Sequence, residues 1–224
     1  MEKIIIMCTG PVRPNYERVH TNIVNSLKTL DNYSVEFNIL SYETEASVKL
    51  KDLLEKTNPE INLYLIPFIS ENIGAWNGNS YRMFKTNKLL IQKVNNINNS
   101  HYVIRQRVDC ELNHIEIPAR AEANTWYAPI MAWGVPFDNL GLASPEVFER
   151  IFNLDDELIK DIVTRCETPH HALAAAAEHT GVSFKDLNFK FTLYQSNAPS
   201  FMGIPQWSKT NRIFEHKNSW IRIE

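Results

Sequence analysis

The chain has 224 residues, 44% of them hydrophobic, which is enough for one well-packed domain. The formal net charge of -3 provides no positive field for nucleic acid, and Lys and Arg are scattered, so nucleic-acid binding is disfavoured. The first apolar run is too short for a signal peptide or a transmembrane segment, and we expect a cytoplasmic protein. The three cysteines are far apart and indicate neither a disulfide framework nor a zinc site.

Strand and helix patterns alternate over the first half of the chain. A continuous apolar run at 3–8 predicts a strand buried on both faces, and apolar residues at helical spacing over 16–30 predict a helix. The same patterns predict further strands and helices in turn, at 33–42, 45–56, 61–68, 80–97 and 101–107. Four strands separated by helices predict an α/β fold with a mostly parallel central sheet and helices on both faces.

The pattern changes after residue 111. Shorter strands, some of them antiparallel, are predicted at 125–134, 137–144 and 189–195. Ser144-Pro145 and Thr168-Pro169 each have the sequence of an N-cap followed by proline at the first helical position. Gly181 predicts the end of the second of these helices, because glycine adopts the left-handed conformation easily.

Charged residues follow the fourth predicted strand, at the sheet edge where α/β proteins bind ligands. Side chains two apart on an extended segment face the same way, so Asp109 and Glu111 could bind one Mg²⁺ or Mn²⁺ ion through oxygen. Taken alone, Asp-x-Glu is common by chance and favours a solvated strand end. Arg105 and Arg107 would either neutralise these carboxylates or bind a substrate phosphate or sugar, and the sequence favours neither role.

The loop after the first strand contains Gly10, Pro11 and Arg13. Glycine allows a ligand to approach the backbone closely, and the prolines stiffen the loop. The loop lacks the glycine-rich patterns of dinucleotide and P-loop sites. It is therefore either a substrate-binding loop or a plain turn.

Asp138 interrupts two apolar stretches in the second half. It is either a turn-forming residue or a general base that deprotonates a hydroxyl. His170 and His171 lie in the first turn of a predicted helix, where they could contact a metal or a phosphate. Surface histidines are the more ordinary explanation.

Five segments together, in this order, suggest a family. They are 4–15, 77–94, 102–112, 137–152 and 168–184. Their order resembles the WavE-type lipopolysaccharide-synthesis glycosyltransferases and the GT-A domains with which some large DNA viruses glycosylate capsid proteins. The resemblance implies a single GT-A-like domain over 1–224. Its nucleotide-sugar-binding half would be 1–111, its acceptor and catalytic half 112–195, and a C-terminal strap or lid would follow at 196–224.

The resemblance also implies a metal site. In that family Arg-x-Arg-x-Asp takes the place of the metal motif, and Arg105, Arg107 and Asp109 match it. Glu111 stands where the second acidic residue of the usual Asp-x-Asp motif would fall, so the number of protein ligands is open.

Two further matches concern the substrates. Asn79 and Arg82 match the family's helix start, near the expected nucleotide-sugar. Asp138 matches the family's catalytic base, with Asn139 in place of a glutamine.

The implied activity is metal-dependent sugar transfer. A UDP- or GDP-sugar would be the donor, a glycan or glycoconjugate hydroxyl the acceptor and Mn²⁺ or Mg²⁺ the cofactor, and we expect inversion. One alternative is a sugar-phosphate nucleotidyltransferase, which is disfavoured because the first loop has one glycine. The other is a non-catalytic carbohydrate-binding module, which would explain the five tryptophans.

Overall fold

Strands and helices alternate through the first half of the molecule, as the sequence predicts. The computed structural model describes residues 1–12, 14–70, 75–130, 134–193, 212–215 and 220–222. The helices are α1 (Tyr16–Thr29), α2 (Glu45–Thr57), α3 (Ala75–Lys93), α4 (Pro145–Phe152), α5 (Asp156–Thr164) and α6 (Pro169–His179). The strands are β1 (Lys3–Thr9), β2 (Ser34–Tyr42), β3 (Asn62–Ile66), β4 (Tyr102–Arg107), β5 (Cys110–Ile115), β6 (Thr125–Ala128), β7 (Leu140–Ala143), β8 (Ser183–Asp186), β9 (Phe189–Leu193), β10 (Arg212–Glu215) and β11 (Trp220–Arg222).

The central sheet has seven strands in the order β3-β2-β1-β4-β7-β6-β8. The first four of these are parallel, β7 is antiparallel to both β4 and β6, and β8 is parallel to β6. The carboxyl ends of β1 to β4 therefore meet at one edge of the sheet, where ligands bind in this class of fold. The predicted α/β class with a mostly parallel sheet is confirmed.

The continuous apolar sequence of β1 follows from burial on both of its faces. Ile5 and Met7 pack on the side of α3, α4 and α6, and Ile4, Ile6 and Cys8 pack on the side of α1 and α2. All five side chains are fully buried. Each buried isoleucine stabilises the fold by about 1.5–3 kcal/mol, so this strand anchors both layers of helices.

Two helices of the second half begin where the sequence predicts. The Ser144 hydroxyl accepts a hydrogen bond from the backbone three residues later at 3.3 Å, and the Thr168 hydroxyl accepts one from His171 N–H at 3.3 Å. Gly181 follows α6 with a φ of 67°, a conformation that favours glycine. These local interactions place His170 in the first turn of α6.

The chain changes sheet directly after β4. β4 ends at Arg107, and β5 belongs to a second, four-stranded sheet with the order β11-β10-β9-β5. The Val108 N–H donates to the Thr9 carbonyl at 3.2 Å, and the Gln106 side chain donates to the Cys110 carbonyl at 2.6 Å, which stabilises the turn between them. The prediction of one extended segment through residue 111 is therefore wrong.

The remaining differences from the sequence predictions concern the bounds and the number of elements. α3 begins five residues before the predicted start at 80. One helix and four strands are not predicted, namely α5, β5, β8, β10 and β11. In the described ranges, every helix is too short or too polar to cross a lipid bilayer.

Candidate active site

The first loop lies over the carboxyl ends of the central strands. Gly10 has a φ of 134°, a conformation that favours glycine, and its N–H donates to a β2 carbonyl at 3.3 Å. The Thr9 carbonyl binds Val108 N–H, so the loop and the turn after β4 are neighbours. Pro11 is exposed beside Gly10, and Arg13 lies outside the described residues.

Arg107 and Asp109 form an ion pair at this edge. Arg107 Nη2 donates to Asp109 Oδ2 at 2.6 Å, and Nη1 donates to Asn139 Oδ1 at 2.8 Å. Burial alone would lower the pKa of Arg107, but the charges of Asp109 and Asp138 raise it above its ordinary value. The guanidinium therefore takes the neutralising role, one of the two that the sequence left open.

The other oxygen of Asp109 has no protein partner in the described ranges. Oδ1 is buried, and among the residues that the structure describes it makes no hydrogen bond. An unpaired buried carboxylate oxygen costs free energy unless a cation or a donor group binds it. Asp109 Oδ1 is thus a candidate ligand for a divalent cation.

Arg105 lies deeper than Arg107. It is 2% exposed, and its guanidinium carbon lies 5.7 Å from the centre of the Phe152 ring. Burial lowers the pKa of Arg105 to about 10, although the nearby Asp138 carboxylate opposes this change. At this depth its charge acts on Asp138, whereas the predicted contact with substrate would require an exposed guanidinium.

Asp138 forms a close pair with His170. Its Oδ1 lies 2.7 Å from His170 Nδ1, and the imidazole stacks on the Phe137 ring at 5.3 Å with an interplanar angle of 19°. Burial alone would raise the pKa of Asp138, but the hydrogen bond and charge of His170, together with Arg105 and Arg107, lower it below the ordinary value. Asp138 is therefore ionised at neutral pH.

Glu111 lies in different surroundings from Asp109. Its Oε1 accepts hydrogen bonds from the side-chain amides of Asn25 at 3.1 Å and Asn113 at 3.0 Å. With its amide nitrogen turned towards the carboxylate, Asn22 donates to Oε2 at 3.1 Å. The structure does not bring the two carboxylates together at one cation site, as the sequence predicts, because the chain turns between β4 and β5.

No larger group of metal-binding side chains in the described segments replaces that pairing. Within the described part of the chain, no three His, Cys, Asp or Glu residues cluster in a way that could hold a metal ion. A cation at Asp109 would therefore have few protein ligands, as is common for Mg²⁺ beside a phosphate-bearing substrate.

Asn79 and Arg82, the predicted nucleotide-sugar contacts, lie near the start of α3. Arg82 Nη2 donates to Asn79 Oδ1 at 2.6 Å, and its guanidinium carbon lies 5.2 Å from the centre of the Phe68 ring. Phe68 follows β3, is 62% exposed, and packs on Tyr42 at the end of β2. Sequence reasoning missed Phe68, although an aromatic residue just beyond a strand that ends at the ligand edge is a usable signal.

Sequence comparisons find no match to this chain. No model of a protein family matches it, and no curated protein matches it.

Solved structures give a different result. The fold is similar to that of the galactosyltransferase LgtC in complex with donor and acceptor sugar analogs. Their TM-score is 0.52 at 11% identity, over 81% of this chain and 72% of LgtC. An active-site mutant of LgtC has a TM-score of 0.50 at 10% identity over the same shares. The mannosyltransferase PcManGT from Pyrobaculum calidifontis, in complex with GDP-Man and Mn²⁺, has a TM-score of 0.47 at 12% identity, over 81% of this chain and 53% of that protein. The likeness to LgtC is one of fold, and it confirms the predicted GT-A class of architecture.

Proposed function

We propose that the protein is a metal-dependent glycosyltransferase that moves a sugar from a nucleotide-sugar donor to a hydroxyl of a glycan or glycoconjugate. The observation that carries this proposal is Asp109, which pairs one oxygen with Arg107 and keeps the other buried without a described partner. It lies at the ligand-binding edge of a fold similar to that of a galactosyltransferase solved with donor and acceptor sugar analogs. The WavE-type order of sequence segments supports a surface polysaccharide or a glycoprotein as acceptor.

The donor would lie along the carboxyl ends of β1 to β4. Asp109 would hold Mn²⁺ or Mg²⁺, and oxygens of the donor diphosphate and water would complete the coordination. A cation bound there would stabilise the negative charge that develops on the departing diphosphate. Gly10 and Pro11 would border the diphosphate, with Arg13 as a further predicted contact. Asn79 and Arg82, beside the exposed Phe68, would contact the nucleoside of UDP or GDP.

The acceptor would lie on the side of Asp138. The acceptor hydroxyl attacks the anomeric carbon while the nucleoside diphosphate leaves from the opposite face, so the configuration inverts. This reaction needs a group that takes the hydroxyl proton. Such general-base catalysis raises the rate of a reaction by about 10²–10⁴-fold. The buried pair of Asp138 and His170 supplies that group in the same charged cluster as Arg107.

Calorimetric titration with UDP and GDP, with and without Mn²⁺, tests the donor site. We expect binding of one nucleotide to depend on Mn²⁺, and Asp109→Asn to weaken it by at least about tenfold, because the neutral amide is a poor ligand for a hard cation. Asp161→Asn is the matched control, since it removes the same charge from an exposed Asp–Arg pair on α5.

The same proteins then enter a transfer assay. UDP-glucose, UDP-galactose and GDP-mannose are incubated with Mn²⁺, and released nucleotide and sugar are detected by mass spectrometry. Metal-dependent release of the sugar supports a transferase. Release of pyrophosphate from a nucleoside triphosphate and a sugar phosphate would indicate a nucleotidyltransferase, and sugar binding without metal would indicate a binding module. Wild-type affinity of Asp109→Asn in the presence of Mn²⁺ would contradict the metal assignment.

A further inference from the structure

We propose that His170 Nε2 accepts the proton of the acceptor hydroxyl, and that Asp138 is a positioning residue that orients the imidazole. This inference rests on the proposed transferase function and assigns the base in its reaction. It changes the role that the family resemblance implies for Asp138.

The exposure of the two side chains favours the imidazole. The Asp138 side chain is 9% exposed, whereas that of His170 is 19% exposed. One carboxylate oxygen of Asp138 is already in contact with Nδ1. In the part of the chain that the structure describes, His170 Nε2 makes no such contact, so we place the acceptor hydroxyl at this nitrogen.

The contacts of His170 Nδ1 define where its hydrogen lies. Nδ1 is 2.7 Å from Asp138 Oδ1, and the Asp138 backbone N–H points towards Nδ1 as a donor at 3.0 Å. Accepting from the backbone would require Nδ1 without hydrogen, which would leave two lone pairs facing each other across the shorter contact. Because the pKa of Asp138 is lowered and its carboxylate is ionised, the hydrogen of the shorter contact belongs to Nδ1. Whenever the imidazole is neutral, its lone pair is then on Nε2.

The surroundings hold the ring in one orientation. The Phe137 ring stacks on one face of the imidazole, and the Thr168 N-cap fixes the first helical turn. The Asp138 carboxylate stabilises an imidazolium that forms during the reaction. The charged groups on neighbouring elements include Arg105 and Arg107 on β4, Lys85 and Lys88 on α3, Arg150 on α4 and Asp156 on α5.

The proposed step balances without a further reactant. The hydroxyl proton moves to His170 Nε2 as the hydroxyl oxygen forms a bond to the anomeric carbon. The bond from that carbon to the diphosphate oxygen breaks, and its electron pair leaves with the nucleoside diphosphate. The imidazolium, still hydrogen-bonded to Asp138, returns its proton to water.

A donor-free measurement tests the pair itself. In ¹⁵N-labelled protein, long-range ¹H–¹⁵N spectra distinguish the two imidazole tautomers, and the His170 signals are assigned by their loss in His170→Gln. We expect hydrogen on Nδ1 in the wild type, and a shift of the hydrogen towards Nε2 in Asp138→Asn, whose amide no longer stabilises Nδ1–H. Hydrogen on Nε2 in the wild type would overturn the proposal.

Kinetics test the proton transfer. An Asp138 base would keep kcat/KM unchanged down to the ordinary aspartate pKa of 3.8, because the pKa of Asp138 is lowered below that value. We expect activity to be lost at a higher pH, since the proposed base is not this carboxylate. We expect His170→Gln to lower kcat by about 10²–10⁴-fold, with Mn²⁺-dependent nucleotide binding retained as evidence of correct folding. His171→Gln, on the same helical turn, is the matched control and should keep the wild-type kcat.

The outcomes separate the two proposals. Wild-type kcat in His170→Gln, or an acid limb below about pH 4, would overturn the role of His170 and leave the transferase function standing. Failure of the wild type to transfer any of the three sugars would count against the transferase function. In that case the tautomer measurement would still show whether Asp138 orients His170.

Discussion

Replacing Glu111 by Gln separates a structural carboxylate from a metal ligand. The Glu111 carboxylate accepts hydrogen bonds from Asn22 and Asn25, which join β5 to α1, and from Asn113 on its own strand. Glutamine has the same shape, but one oxygen becomes an amide nitrogen that faces other amide nitrogens. At least one hydrogen bond to a charged acceptor is lost, and such bonds contribute about 1.5–3 kcal/mol each. We therefore expect the free energy of unfolding of Glu111→Gln to fall by about 1.5–3 kcal/mol.

Urea denaturation and calorimetry measure the two consequences separately. The urea midpoint should fall with an unchanged m-value, while Mn²⁺-dependent nucleotide binding should equal that of the wild type, since Asp109 and Arg107 are untouched. Glu116→Gln is the control, because Glu116 accepts a 2.8 Å hydrogen bond from Asn188 at an exposed position. It should change stability by less than about 0.5 kcal/mol. Unchanged stability of Glu111→Gln combined with lost metal-dependent binding would refute this reasoning and make Glu111 a metal ligand.

Three further predictions concern stability and reactivity. A Cβ atom at Gly141 would lie 2.2 Å from Trp126 Cζ2, so Gly141→Ala should cost about 1–3 kcal/mol. Calorimetric melting should show the cost reduced in a Trp126→Phe background. Because the folded state lowers the pKa of Asp138, its ionised form stabilises the protein above the ordinary value of 3.8, and this stabilisation is lost as the pH falls below it. The urea midpoints of the wild type and Asp138→Asn should therefore differ at pH 7 and converge in acid. Iodoacetamide should modify the partly exposed Cys166 before either of the two buried cysteines, as peptide mass spectrometry can show.

Local sequence signals predict those parts of the fold that depend on local interactions. The N-caps Ser144 and Thr168 satisfy backbone donors within their own first turns, so their residue types are sufficient evidence. The apolar run of β1 predicts burial on both faces, and the structure has helices on both. Asp155 is a comparable signal for α5, because its side chain accepts a hydrogen bond from the backbone of the first turn.

The turn after β4 has only a weak local signal. Of the residue types that usually mark a turn, the segment 107–110 contains one aspartate, Asp109, and no glycine, proline, asparagine or serine. Its stability comes from distant parts of the chain, because the Val108 N–H binds the Thr9 carbonyl and the Gln106 amide binds the Ser26 hydroxyl. Strand geometry alone predicts that Asp109 and Glu111 lie on one face, whereas these tertiary hydrogen bonds direct them to different surroundings.

The candidate base shows why residue type alone does not define a chemical role. Asp138 and His170 are each recognisable as candidates, but they are 32 positions apart, and their contact exists because the loop before β7 meets the first turn of α6. An isolated aspartate in a cleft could accept a proton. Here Arg105, Arg107 and His170 stabilise the ionised carboxylate, so protonating it would mean giving up those interactions. The same interactions that make Asp138 a weak base make it an effective partner for an imidazolium. The expected proton acceptor is therefore His170, whose side chain is the more exposed of the two.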